Sequence, residues 1–275
     1  MVLPGCRRAE APAPAAPGHD LRGEIVGVVP ERRVLLVHHE EIPGYMPSMT
    51  MEFTAPFADL ALFHEGQRIA ARMIEDAPGE FHLESLRVLD DAKDRVLAAS
   101  AEALRQETSI RGKHAYREVG EQVPQFTLYN QDNQVVSFDR FRGRRVVLNF
   151  IFTRCPVATM CPASTAKMMA LQAAARARDV KNLELVSITL DPVYDTPAVL
   201  RGYARDRGID TTNFSFLTGP EAAVRDLLTS FGVLVTPGEN IFKHTLATVL
   251  IDEKGKIIHR ADGSAWTTEE FLKRL

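Results

Sequence analysis

The segment Val146 to Phe152, Val-Val-Leu-Asn-Phe-Ile-Phe, constrains this chain more than any other stretch. An apolar run of strand length reads as a strand buried on both faces, and such a strand needs cover above and below. The flanking sequence supplies that cover. Helices are expected at about Ala163 to Arg178, Pro197 to Arg207 and Ala222 to Phe231, with strands Leu183 to Leu190 and Phe214 to Leu217 between them. Upstream, Phe126 to Tyr129 and Val135 to Phe138 flank the turn Asn130-Gln131-Asp132-Asn133-Gln134. Downstream, Leu246 to Ile251 and Lys256 to Arg260 flank Asp252-Glu253-Lys254-Gly255, and Thr267 to Leu275 closes as a helix. Strands alternating with helices predict an α/β domain, a mixed sheet with helices on both faces.

The order of these elements is thioredoxin-like and spans residues 118–275. What precedes it has another rhythm. Glu24 to Val29 and Arg33 to His38 are joined by Pro30-Glu31-Arg32, a hairpin signal. Met49 to Phe53 alternates, and Gln67 to Ile74 and Glu80 to Val88 are further strands. About five strands over roughly 70 residues predict a small all-β barrel of OB type, residues 21–90. Asp91 to Gln106 reads as a connecting helix within a linker, residues 91–117. Residues 1–20 form a tether, because the Pro/Ala tract at 9 to 18 cannot build a core.

Lys+Arg 33 nearly balance Asp+Glu 36, and no basic stripe carries interleaved aromatics, so a nucleic-acid partner is not expected. No apolar run approaches the ~20 residues of a membrane helix. Cys155 and Cys161 form a close pair while Cys6 stands apart, which suits a reactive pair and a separate thiol better than a disulfide framework. Leu3-Pro4-Gly5-Cys6 resembles a bacterial lipobox, which implies acylation of Cys6 and a membrane anchor facing the periplasm. An incidental cysteine in a disordered tip is the alternative.

The cysteine pair lies where the buried strand gives way to a helix, the place where α/β sheets put their ligands. Pro162 suits a first helical turn. Cys161 is therefore expected beside the positive end of a helix dipole, which favours a thiolate able to attack a disulfide or bind a soft metal. The segments Val123-Pro124-Gln125-Phe126, Phe152-Thr153-Arg154-Cys155-Pro156, Cys161-Pro162, Asp191-Pro192, Asp195-Thr196-Pro197 and His244 resemble the Sco/SenC copper chaperones over about residues 116 to 275. The resemblance implies a copper site made of Cys155, Cys161 and His244, with the two cysteines also cycling between dithiol and disulfide. The family's spacing places three residues between the cysteines, whereas here there are five. Asp191 and Asp195 are expected to cap the helix that follows them.

A second constellation runs from His38-His39 to Met46-Pro47-Ser48-Met49-Thr50-Met51. In a strand Met49 and Met51 share one face. His39 ends the preceding strand, so two thioethers and an imidazole can converge, and thioether sulfur selects Cu(I). Packing of an irregular core is the competing role for such methionines. The stretch is similar to CusF-like periplasmic copper-binding domains over about residues 21 to 89, which implies His39, Met49 and Met51 as ligands. Met46 stands where those proteins often carry a tryptophan, giving a thioether as the fourth ligand.

Together these resemblances imply a periplasmic or membrane-anchored copper chaperone with thiol–disulfide capability. Its expected partners are a cytochrome c oxidase subunit or another copper recipient, and a thiol reductant protein. A thiol–disulfide oxidoreductase or peroxidase, and a copper-resistance sequestering protein, are the rival functions.

Overall fold

The computed structural model describes residues 18–55, 60, 62–89, 91–112, 116–236 and 243–275. The possible lipobox at Cys6 lies outside the described residues.

Five strands come first: β1 (His19–Val29), β2 (Val34–His39), β3 (Met49–Thr54), β4 (Arg68–Ala77) and β5 (Glu80–Val88). They close into a barrel in the order β1-β2-β3-β5-β4, with β4 returning to β1. All pairings are antiparallel except β3 with β5. Closure follows from period-two patterning. Leu21, Gly23 and Ile25 of β1 point inward while Arg22, Glu24 and Val26 face out, and the inward set joins Leu35, Val37, Phe53, Ile69, Met73 and Leu83 in one apolar core. Gly23 is required here, because a Cβ at this position would lie 2.6 Å from the carbonyl oxygen of His38 and 2.8 Å from Cα of His39.

Helix α1 (Asp91–Arg111) extends five residues beyond the expected end at Gln106. Nothing in Glu107 to Arg111 breaks a helix, and the stop comes at Gly112, whose φ of +94° ends the run while its N–H donates to the Thr108 carbonyl. This helix is more than a spacer. Leu104 is buried in the core of the α/β domain, and the Thr108 and Ser230 hydroxyls lie 3.3 Å apart.

The α/β domain comprises β6 (Thr127–Asn130), β7 (Val135–Ser137), β8 (Arg145–Ile151), α2 (Cys161–Ala177), β9 (Leu183–Thr189), α3 (Pro197–Asp206), β10 (Phe214–Thr218), α4 (Glu221–Ser230), β11 (Val235–Thr236), β12 (Lys243–His244), β13 (Ala247–Ile251), β14 (Ile257–Asp262) and α5 (Thr268–Leu272). Seven of these strands form one sheet, in the order β14-β13-β8-β9-β10-β6-β7. Strands β8, β9 and β10 are parallel and central, and all their residues but Arg145 are buried. The thioredoxin-like expectation holds, and β11 paired with β12 is an element the sequence did not announce, since each is two residues long. Asn149, the polar residue inside the apolar run, donates to Ser164 Oγ at 2.9 Å and accepts from Ser187 Oγ at 2.6 Å. It therefore ties β8 to β9 and to the first turns of α2.

Candidate metal centres

The sheet brings its first candidate site together at one end. Strand β8 runs parallel to β9 and antiparallel to β13, with Asn149 opposite Thr248 and Ile151 opposite Thr189. The carboxyl ends of β8 and β9 and the amino end of β13 therefore share one edge of the domain. Cys155 follows β8 by four residues, and Asp191 follows β9 by two. His244 precedes β13 by three residues and pairs with Val235. The His244 side chain lies outside what is described; its backbone is at the edge where the cysteines are.

Both cysteines are buried, and they face each other as thiols with no disulfide between them. The Cys155 amide donates to the Phe152 carbonyl at 3.3 Å, and its Sγ–H points at the Val157 carbonyl at 3.9 Å. Cys161 is the first residue of α2, two positions earlier than expected, and has no exposed surface. The helix dipole does not prevail there. Burial pushes the Cys161 thiol well above its usual range, with only partial offset from a backbone hydrogen bond at Phe152. The neighbouring Cys155 and the Asp195 carboxylate push in the same direction as burial. Desolvation disfavours a bare thiolate, so the reduced resting form of Cys161 is the thiol. A soft cation in place of the proton would remove that penalty, and its binding there would release a proton.

Asp191 and Asp195 do not cap α3. Thr196 is the cap, its Oγ1 accepting from the Val199 N–H at 3.3 Å. The Thr196-Pro197 dipeptide is a helix-start signal, and giving it weight would have freed both aspartates. They face the cysteine turn instead. Asp195 Oδ2 accepts from Thr153 N at 3.1 Å and from Thr189 Oγ1 at 2.6 Å, and its Oδ1 accepts from Thr153 Oγ1. Burial raises its carboxyl to about 6, against the lowering effect of those hydrogen bonds. Asp191 accepts from Arg154 at 2.6 Å, and the Arg154 guanidinium lies 3.9 Å from the centre of the Tyr194 ring.

The second candidate site is at one end of the barrel. His39 stands opposite Met49 in the β2–β3 ladder, and Val37 stands opposite Met51. Met49, Met51 and Phe53 share a face of β3 with exposure falling along it, from 42% at Met49 through half-buried Met51 to 0% at Phe53. Met46 packs half-buried against the barrel core. Its loop is held by mutual backbone hydrogen bonds, Ile42 N to Met46 O at 2.9 Å and Met46 N to Ile42 O at 3.1 Å. His39 is fully buried, and its Nδ1 is engaged with the Glu40 carbonyl at 2.7 Å. Its Nε2 has no hydrogen-bonding partner among the described residues. A buried ring nitrogen left unpaired is uncommon, because it carries the full desolvation cost. An unpaired imidazole nitrogen at a barrel end with thioether residues is a donor set suited to a soft monovalent metal.

Residues 114–275 match the family model described as SCO1/SenC, well over half of the chain. This chain belongs to the SCO1/SenC family. Members of that family are among the relatives. The SCO1 protein homolog of Bacillus subtilis is 32% identical over 146 residues, covering 52% of this chain and 74% of that protein. A SCO1/SenC family lipoprotein from Bacillus anthracis superposes with a TM-score of 0.53 at 27% identity, over 58% of this chain and 96% of that one. BsSco, described as containing a disulfide switch and as a member of the Sco family of cytochrome c oxidase assembly proteins, superposes at 0.51 and 27%, over 58% and 94%. The barrel has its own match, residues 18–88 to the model described as copper binding periplasmic protein CusF. Copper is the metal named by the CusF match, and the thiols of one site and the thioethers and imidazole of the other are soft enough to take it.

Proposed function

We propose that this SCO1/SenC protein is an exported copper chaperone with two sites. The barrel holds Cu(I) on His39, Met49 and Met51 with Met46 as fourth ligand. The thioredoxin-like domain receives copper on Cys155, Cys161 and His244 and delivers it to a cytochrome c oxidase subunit or another copper recipient. The observation that carries the reading is the sheet topology, which gathers Cys155, Cys161 and the His244 backbone at one edge from two separate parts of the sequence. The protein acts in the periplasm, with the segment around Cys6 as its membrane tether. Residues 21–90 and 118–275 are its two working units. Their fusion raises the effective concentration of one site at the other.

Copper supplies a soft acceptor for sulfur, and the chain's own residues do the rest. Burial keeps Cys161 protonated until metal arrives, so loading is coupled to proton release. The same pair supports a redox cycle. When the Cys155–Cys161 disulfide is opened by a thiol reductant protein, two electrons and two protons pass from the reductant's dithiol, which becomes a disulfide.

The test is copper stoichiometry of the reduced chain purified without oxygen. Two ions per chain are expected, one of them lost with residues 1–90. A single ion that disappears with that deletion, leaving thiol exchange intact, would make the second domain an oxidoreductase.

A further inference from the structure

The cysteine turn is fixed from below, and we propose that Asp195, acting through Thr153, and Asp191, acting through Arg154, are positioning residues that set the placement of the two sulfurs. This rests on the chaperone reading above and deepens it. Thr153 and Arg154 are the two residues immediately before Cys155. Asp195 has no exposed surface and spends both oxygens on Thr153 and on β9: Thr153 N at 3.1 Å, the Thr153 hydroxyl, and Thr189 Oγ1 at 2.6 Å. Asp191 takes Arg154 at 2.6 Å, while its own N–H donates to Thr189 Oγ1 at 2.9 Å. Burying carboxylates is costly unless they are paired, and these two carboxylates pair with Thr153 and Arg154 of the cysteine turn and with Thr189 at the end of β9.

The loop explains why such a latch is useful. Five residues separate Cys155 from Cys161, and a longer loop has more conformations to restrict before its ends meet. The far end is already fixed, because Cys161 opens α2 and Asn149 holds the helix through Ser164. The near end is fixed by the aspartates. Arg154 is half exposed and its pairing with Asp191 is correspondingly the weaker arm. Thr153 with Asp195 is the stronger one.

The test uses the full chain carrying Met49→Ile and Met51→Ile, so that only the cysteine site takes Cu(I). Two quantities are read: Cu(I) affinity by competition with a chromophoric chelator, and the midpoint potential of the Cys155/Cys161 couple in a dithiol buffer. Thr153→Val keeps the shape and removes the hydroxyl. It should weaken Cu(I) binding about tenfold to a hundredfold, as loss of an orienting partner does at metal sites. It should also destabilise the disulfide about tenfold, a potential ~30 mV less negative. Thr153→Ser, which restores the hydroxyl, should restore both values, and Asp195→Asn should shift both in the same direction as Thr153→Val. Trp266 fluorescence checks that each variant is folded. Folded Thr153→Val with wild-type affinity and potential would overturn the proposal, as would Thr153→Ser behaving like Thr153→Val. Loss of the copper–thiolate absorption on Asp195→Asn with the potential unchanged would make Asp195 a ligand and overturn it as well. A parent chain that takes no copper at the cysteines would sink the chaperone reading alone, because the potential still reads the latch.

Discussion

Replacing His39 by leucine should remove copper from the barrel and leave the metal-free barrel as stable as before or more so. Two effects compete. The His39 Nε2 is buried with no hydrogen-bonding partner among the described residues, and an unsatisfied buried polar group costs about 1–3 kcal/mol. Leucine removes that cost. It also removes the 2.7 Å hydrogen bond between Nδ1 and the Glu40 carbonyl, worth about 1 kcal/mol. Glu40 is exposed, so water can replace the imidazole at its carbonyl. The sum is a change of roughly 0 to 2 kcal/mol in favour of the variant. With Cu(I) in a hundredfold excess over its dissociation constant, the wild-type barrel should gain about 2.7 kcal/mol and the variant little. The measurement must be specific to the barrel. The chain's one tryptophan, Trp266, is in the other domain, so amide hydrogen exchange of the β1 to β5 peptides is the suitable probe, with and without Cu(I) under anaerobic conditions. A metal-free variant destabilised by more than about 2 kcal/mol, or one still protected by Cu(I), would refute the reasoning, since it would make His39 a packing residue.

Four further outcomes are expected. Cys155→Ala or Cys161→Ala should reduce copper from two ions to one per chain by metal analysis, leaving the barrel loaded. His244→Ala should weaken copper binding at the cysteine site while sparing the Cys155–Cys161 disulfide, read by thiol titration after oxidation, because the redox cycle needs only the two sulfurs. X-ray absorption of the Cu(I)-loaded Cys155→Ala chain should show mostly sulfur and about one nitrogen, and tighter binding of Zn²⁺ than Cu(I) would reassign the methionines to core packing. The Asp195 carboxyl, raised to about 6 by burial, favours the fold fully below the ordinary carboxylate range. That contribution, on the order of 3 kcal/mol, is lost as pH rises through about 6. Denaturation of the metal-free chain between pH 4 and 7 should therefore be flatter for Asp195→Asn than for wild type.

Much of this molecule is written locally. The apolar run around β8 demands a sheet covered on both faces, and alternation in β3 demands a half-buried strand. Each follows from short-range sterics and periodicity, so each is readable residue by residue. The soft donors are equally local, since sulfur and imidazole are properties of single side chains. Other features depend on partners distant in sequence. Cys161 reads as a thiolate at a helix start, yet in the fold burial outweighs the dipole, because desolvation depends on everything packed around the sulfur. Asp191 and Asp195 read as helix caps, yet their partners Arg154 and Thr153 lie about 40 positions away and reach them only because β8 and β9 are parallel neighbours. That His39 Nε2 is buried with no hydrogen-bonding partner among the described residues is likewise a fact of the closed barrel. The sequence determined which atoms can bind a soft metal, and the tertiary structure decided which of them are dry, protonated and held in place, because burial and hydrogen-bond partnership come from contacts between residues distant in the chain.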